Sequence, residues 1–266
     1  MNSLRNCLVF LLLLVFQSTS QEEEKCGRPF IPPSTSDDPC PTLEGQVVEG
    51  QEAQPHSWPW LVQLRDHGRR HVCAATILNE RWLLSTAHCF VLNNETRTGP
   101  RDKRLRASDF EIVAGSHLQT AEIRTASQQY RRPQRVIRHP LASRKTYHHD
   151  IALALNPSGK CVVAGWGVDH VIDGNDPIER YPKSLKQASM PTIGHADCLR
   201  QYRGLVEILP QSVCAQHSCR GTCKGDSGGG FYCRDGSDWT VEGVVSAGMP
   251  NCTTGKPSVF VSVSHY

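Results

Sequence analysis

The stretch "KGDSGGG" (224–230) sets Ser227 among glycines, with an acid, Asp226, directly before it. A serine hydroxyl is a weak nucleophile at neutral pH. It needs a base to take its proton and donors to hold the oxyanion that forms. Glycines beside it let backbone N–H groups come close to a reacting carbonyl. Alone, such a run is most often only a turn, so its meaning depends on whether the chain also supplies a base and an orienting acid.

Two stretches upstream can. "LLSTAHCF" (83–90) puts His88 after an apolar, strand-like run and beside Cys89, whose disulfide would fix the turn carrying the imidazole. "DIALAL" (150–155) opens with Asp150 at the head of a buried-looking strand. A carboxylate there is costly unless paired. A histidine N–H is a natural partner, and the pair holds the ring in the tautomer that accepts a serine proton.

Around these residues the chain is a series of short β-type runs. They are "WLVQL" (60–64), "HVCAATIL" (71–78), "FEIVAG" (110–115), "QRVIR" (134–138), "DIALAL", "CVVAGW" (161–166), "WTVEGVVSAG" (239–248) and "SVFVSV" (258–263). Gly, Pro, Asn and Asp punctuate them and no long helical period appears, which predicts an all-β barrel or sandwich. Only "GHADCLRQY" (194–202) suggests a helical turn or two, and no internal repeat is visible.

The bulk properties narrow the class. The 266 residues suffice for one large all-β domain or two modest ones. A mean hydropathy of −0.40 fits a soluble protein. The net charge of +3 favours neither nucleic acid nor an anionic membrane as partner. Residues 1–20 combine Arg5, the ten-residue apolar run "CLVFLLLLVF" (7–16) and small residues before Gln21. That is a signal peptide and predicts a secreted, extracellular product; ten apolar residues are too few to span a bilayer. Residues 21–46, rich in proline and acid, read as an irregular leader.

Of twelve cysteines, Cys7 leaves with the signal, and the remaining eleven suit an oxidising compartment. Cys219 and Cys223 lack a second ligand pair, so neither a metal nor a cofactor is expected. Asn94 and Asn251 sit in glycosylation acceptor sequences. The "RDKR" (101–104) within the charged stretch 93–109 resembles a dibasic processing site but reads as a solvated loop.

The order His88, Asp150, Ser227 in these settings resembles the trypsin/chymotrypsin family of serine endopeptidases over most of residues 47–266. The leader "CGRPFIPP" (26–33) and the entry "VVEGQEAQPHSWPW" (47–60) look most like the chymotrypsin and pancreatic-elastase branch. The resemblance implies a domain, 47–266, of two six-stranded antiparallel barrels with the site in the cleft between them. Ser227 would attack, His88 would shuttle the proton, Asp150 would orient His88, and the N–H groups of Gly225 and Ser227 would form the oxyanion hole. This is the mechanism established for the family itself and carried over here. The implied disulfides are Cys73–Cys89, Cys161–Cys233, Cys198–Cys214 and Cys223–Cys252. The implied specificity pocket has Gly221 at its floor and Gly248 and Ser258 at its walls. Trypsin-like members carry Asp at the floor; without it nothing compensates a substrate Lys or Arg, so an apolar residue is expected. Activation would follow a cut before Val47, whose new amine would pair with Asp226.

The chain also departs from the family's pattern. Gln46 stands where Arg or Lys usually precedes the cut, so another activating protease is needed or the switch is never thrown. Only five residues, "NPSGK" (156–160), separate the "DIALAL" run from Cys161, a reach of at most ~18 Å. In the family the usual partner of Cys26 lies in the missing stretch, so the pairing of Cys26, Cys40 and Cys219 stays open; one option pairs Cys26 with Cys40 and leaves Cys219 as the odd thiol. The sequence stops at "SVSHY" (262–266), before the helix with which relatives end. Ala247 replaces an aromatic of the substrate groove, "CAAT" (73–76) replaces "CGGS", and "GDSGGG" lacks the usual proline. Two readings stand. One is a secreted serine endopeptidase acting on proteins or peptides and open to protein inhibitors. The other is an inactive homologue that binds a partner without cutting it.

Overall fold

The computed structural model describes residues 26–35, 50–90, 106–119, 125–142, 150, 161–172, 178–249, 252 and 255–264. The expected signal peptide, Val47, Asn94, Asn251, the 156–160 connection and residues 265–266 lie outside them.

Two antiparallel sheets carry the fold. The edge strand β1 (Gln51–Glu52) belongs to the larger one, while the smaller is built from the next five: β2 (Leu61–Arg65), β3 (His71–Ile77), β4 (Leu83–Leu84), β5 (Glu111–Ala114) and β6 (Gln129–Arg131). Its order is β4-β3-β2-β5-β6. After β7 (Cys161–Gly165) comes a small ribbon of β8 (His170–Ile172) and β9 (Ile178–Arg180), then β10 (Lys186–Ser189), β11 (Thr192–Ile193) and the helix α1 (His195–Gln201). Strands β12 (Ser212–Ala215), β13 (Gly230–Asp235), β14 (Asp238–Ala247) and β15 (Ser258–Ser262) complete the larger sheet. Its order is β1-β10-β7-β13-β14-β15-β12-β11. This is the all-β, two-barrel architecture, with eight and five strands in the two sheets rather than six and six among the described residues. The predicted "DIALAL" strand lies outside those residues apart from Asp150 itself.

Strand β2 shows how the barrels are joined. Val62 and Leu64 point into the first barrel, against Cys73, Ala75 and Cys89. Leu61, on the opposite face, joins Trp58, Ala74, Val162, Trp166 and Tyr232 in a core between the barrels. Gln63 and Arg65, which alternation alone would place in water, are fully buried on that same face. They are satisfied there: Arg65 Nε donates to Gln63 Oε1 at 2.8 Å and Arg65 Nη2 to the Gln119 carbonyl at 3.1 Å. Gln119 Nε2 in turn donates to the Trp166 carbonyl at 2.9 Å, and Trp166 Nε1 to the His117 carbonyl at 2.9 Å. Thr76 and Tyr232 share a hydroxyl hydrogen bond of 2.9 Å across the same seam. The cleft walls are thus held by buried polar links as well as by apolar packing.

The four implied disulfides all form: Cys73–Cys89, Cys161–Cys233, Cys198–Cys214 and Cys223–Cys252. Cys198 ties α1 to β12, in the segment expected to be helical. Two expectations fail. Cys219 is disulfide-bonded, not the odd thiol, and Cys26 is a free, exposed cysteine. "QRVIR" is not a strand: pairing with β5 ends at Arg131, and Pro133, with no N–H to donate, closes the edge. No helix among the described residues is long and apolar enough to cross a membrane.

Candidate active site

Three segments from both barrels meet at the cleft. A short 3-10 helix, Ala87–Phe90, follows β4 and carries His88, with Cys89 anchored to β3 through Cys73. Asp150 is buried beneath it. Its Oδ2 accepts a hydrogen bond from His88 Nδ1–H at 2.7 Å, and its Oδ1 accepts the His88 backbone N–H at 2.9 Å. Ser246 Oγ, from β14, donates to Asp150 Oδ2 at 2.7 Å. Three donors converge on one carboxylate, which lets a charge persist out of water. With Nδ1 donating, the ring's other nitrogen, Nε2, keeps its lone pair for a proton.

Ser227 sits in the loop between β12 and β13, and that loop is pinned on several sides. Ala74 N–H of the first barrel donates to the Ser227 carbonyl at 2.8 Å, and Gly228 N–H donates to the Val245 carbonyl at 2.9 Å. Gly225 has φ +99°, and a Cβ there would come within 3.1 Å of Gly167 Cα, so both conformation and space require glycine. Among the described residues, neither Gly225 N–H nor Ser227 N–H has an acceptor. Ser227 and His88 line one cavity of about 430 Å³. The Ser227 hydroxyl makes no hydrogen bond among the described residues; catalytic contacts in unliganded sites are commonly long and tighten with substrate.

The same cavity continues along Ser246, Ala247, Gly248 and Met249, and among the described residues no carboxylate lines it. Of the three implied pocket residues, Gly248 lines this cavity. Gly221, expected at the pocket floor, instead lines the small cavity beside Asp226, and Ser258 is buried next to it: Ser258 Oγ accepts the Thr222 N–H at 3.0 Å, and a Cβ on Gly221 would meet only Ser258 Oγ, at 3.7 Å.

Asp226 points away from Ser227, toward a second, small cavity that Gly50 and Gln187 also line. Its Oδ1 accepts the Gly167 N–H at 2.8 Å and its Oδ2 the Cys223 N–H at 2.9 Å. Desolvation pushes its carboxyl up to about 6, against the pull of those two donors. Gly165 and Gly167 leave the space it occupies, since a Cβ on either would collide with the carboxylate. His71 of β3 packs edge-on to Trp166 and donates from Nε2 to the Gly225 carbonyl at 2.8 Å. Desolvation holds this imidazole down to about 4, so it is neutral at physiological pH.

The structure thus joins His88 to Asp150 and brings Ser227 to the same cavity. Three contributors went unread in the sequence. Ser246 was signalled only by a polar residue inside the apolar "VVSAG" run (244–248), Gly167 by the small residues flanking Trp166, and His71 by nothing beyond its residue type. The one His/Cys grouping close enough to share a metal ion among the described residues is Cys73, His88 and Cys89. Both its sulfurs are tied up in a disulfide.

A family model described as Trypsin matches residues 47–158 and, in a second segment, 154–266. The chain belongs to the trypsin family, and that membership carries a serine protease function. The two matched segments meet at 154–158, beside the five-residue connection, with the described strands of the smaller sheet in the first segment and β7 onward in the second.

Proposed function

We propose that the chain is a secreted serine endopeptidase, made as an inactive precursor and selective for peptide bonds after an apolar residue. Ser227 Oγ attacks the scissile carbonyl while His88 Nε2 takes its proton and later returns it to the leaving amine. Asp150 holds the imidazole in the right tautomer and stabilises the imidazolium. The N–H groups of Gly225 and Ser227 bind the oxyanion of the tetrahedral intermediate. Water then repeats the cycle on the acyl-enzyme. The observation that carries this reading is the buried Asp150 carboxylate accepting both His88 N–H groups, which commits Nδ1 to the carboxylate and leaves the base role to Nε2 of a ring that lines the same cavity as Ser227.

The preference for an apolar residue is supported by a cavity that no carboxylate lines among the described residues, because a substrate ammonium or guanidinium would be desolvated there without a partner. Activation by a cut before Val47 is supported by Asp226, whose raised carboxyl faces the cavity that Gly50 lines. Val47 lies three residues upstream of Gly50, within ~10 Å of chain. The aspartate would then gain a cation, which none of its described partners, the Gly167 and Cys223 N–H groups, supplies.

The test is hydrolysis of chromogenic peptides with Phe, Leu, Ala or Lys before the scissile bond. Residues 21–266 would be secreted from a eukaryotic host with Gln46→Arg, so that trypsin can make the cut. Phe and Leu peptides should be cleaved only after the cut and not by Ser227→Ala, with the Lys peptide at least ~100-fold slower. Turnover that survives Ser227→Ala, or a cut and folded chain without turnover, would overturn the reading.

A further inference from the structure

The net charge of +3 conceals an uneven distribution. Residues 47–160 hold 17 Lys and Arg against 10 Asp and Glu, whereas 161–266 hold 9 against 10. In the first of these segments the Lys and Arg residues that the structure describes are all arginines.

The antiparallel register gathers several of them at one end of the smaller sheet. Arg65 closes β2 and pairs with Glu111, which opens β5, and Ile112 pairs with Arg131, which closes β6. The β2–β3 turn (66–70), the 3-10 helix Ala107–Asp109 before β5 and the segment leaving β6 therefore lie side by side. His67 Nε2 of the turn lies 3.6 Å from Asp109 Oδ1. With strands about 4.8 Å apart, the arginines of this end spread over roughly 10–15 Å.

The acids among them are already answered. Asp66 accepts the Arg70 N–H at 3.0 Å and its Nε–H at 2.8 Å. Asp109 accepts the Arg106 N–H at 2.7 Å and its Nη2–H at 3.3 Å. Glu111 lies opposite the buried Arg65, and its charge acts on that guanidinium. Arg69, Arg131, Arg132 and Arg135 are exposed, and none has a carboxylate partner among the described residues. Four uncompensated cations at this spacing repel one another, and an anion laid across them relieves the repulsion. Arginine also suits that task better than lysine: it is more weakly hydrated, and its planar fork of donors fits sulfate, phosphate or carboxylate.

The surroundings decide which polyanion. No large apolar side chain is exposed within 66–70, 106–111 or 129–135; Ile137 and Leu141 follow only beyond them. A protein partner needs a buried apolar anchor at the centre of its interface. A membrane surface needs apolar side chains to insert, and a nucleic-acid strand stacks its bases on aromatics. This surface offers charge alone.

We propose that this end of the first barrel binds a sulfated polysaccharide chain, held by Arg69, Arg131, Arg132 and Arg135. These arginines do not line the Ser227 cavity. The surface ends one residue before His71, whose Nε2 donates to the Gly225 carbonyl, so a bound chain runs beside the cleft and not in it.

The probe is heparin, applied to the uncut chain 21–266, which keeps the outcome independent of catalysis. Affinity is measured by surface plasmon resonance at several NaCl concentrations. The wild-type chain should bind at physiological salt. Arg69→Ala/Arg132→Ala/Arg135→Ala should bind at least ~10-fold more weakly, with a slope of log Kd against log [NaCl] smaller by about two to three. Arg203→Ala/Arg234→Ala/Lys256→Ala removes the same charge from exposed positions of the second barrel and should leave affinity and slope unchanged. A second measurement needs no variant: heparin should protect Arg69, Arg131, Arg132 and Arg135 of the wild-type chain from phenylglyoxal, read by peptide mass, and leave Arg203 and Arg234 reactive. Desulfated heparin, polyglutamate and phosphatidylserine vesicles should each bind at least ~10-fold more weakly than heparin. No binding at physiological salt, an unchanged slope in the first variant, or no protection of the four arginines would overturn the site. Polyglutamate or vesicles binding as well as heparin would overturn the choice of a polysaccharide.

Discussion

In the uncut chain Asp226→Asn should alter how stability depends on pH, and the structure gives the size and sign. Desolvation raises the Asp226 carboxyl from 3.8 to about 6. A carboxyl raised on folding contributes its stability fully below the unfolded value and loses it as the pH climbs through the folded one. At about 1.4 kcal/mol per pH unit the gap is worth about 3 kcal/mol. The small cavity beside the carboxyl leaves the burial incomplete, which brings this to roughly 2–3 kcal/mol. His71 acts in the opposite sense, since its imidazole falls from 6.5 to about 4. Its contribution is complete above the unfolded value and is lost as the pH falls through the folded one. In the wild-type chain the two nearly cancel between pH 4 and 6.5; in Asp226→Asn only the histidine contribution remains. Urea unfolding followed by tryptophan fluorescence at pH 4, 5, 6 and 7, with disulfides intact, should find the variant gaining roughly 2–3 kcal/mol on wild type across the range. After the cut, the Val47 ammonium should hold Asp226 ionised, and the same variant should then lose stability at neutral pH. Wild-type and variant curves that run parallel from pH 4 to 7 would refute the reasoning, because the carboxyl would then not be desolvated and unpaired.

Three further substitutions probe the site. Asp150→Asn should keep the fold but slow acylation of Ser227 by about 10⁴-fold, the magnitude known for this same change in the family's reference triad and carried over from it; stopped-flow acylation would check it. Ser246→Ala removes one of three donors to Asp150, and a hydrogen bond to a charged group of about 1.5–3 kcal/mol implies a loss of about tenfold or more in kcat/KM. Gly221→Asp should fit, since a Cβ there meets only Ser258 Oγ at 3.7 Å, and as the pocket floor that the family resemblance implies it should raise the Lys-to-Phe ratio of kcat/KM by more than ~100-fold; an unchanged ratio would leave Gly221 to the Asp226 cavity it lines.

The part of the site that the sequence disclosed was the part whose residue types are scarce in those settings. A serine among glycines, a histidine beside a cysteine and an aspartate opening an apolar run each carry chemistry that few contexts explain. Ser246 could not be read this way, because a serine in a strand is ordinary until the carboxylate it serves is in view. Gly165 and Gly167 became meaningful only when Asp226 was found filling the space above them. Gln63 and Arg65 broke the in–out alternation because the second barrel covers the face of β2 that a single sheet would leave in water. The family resemblance supplied the four disulfides; the sequence contained eleven candidate cysteines after the signal and no pairing. The leader was expected to be irregular, and residues 26–35 carry turns and bends but no strand.

The central claim is that Ser227 is an activated nucleophile. Covalent labelling tests it most directly: the chain with an engineered cut before Val47 is treated with a serine-reactive phosphonate, and the adduct is mapped by mass spectrometry. The account predicts a single adduct, on Ser227, that requires the cut and is lost in Ser227→Ala. A soluble, folded, cut chain that takes up no label, or takes it up elsewhere, would contradict it.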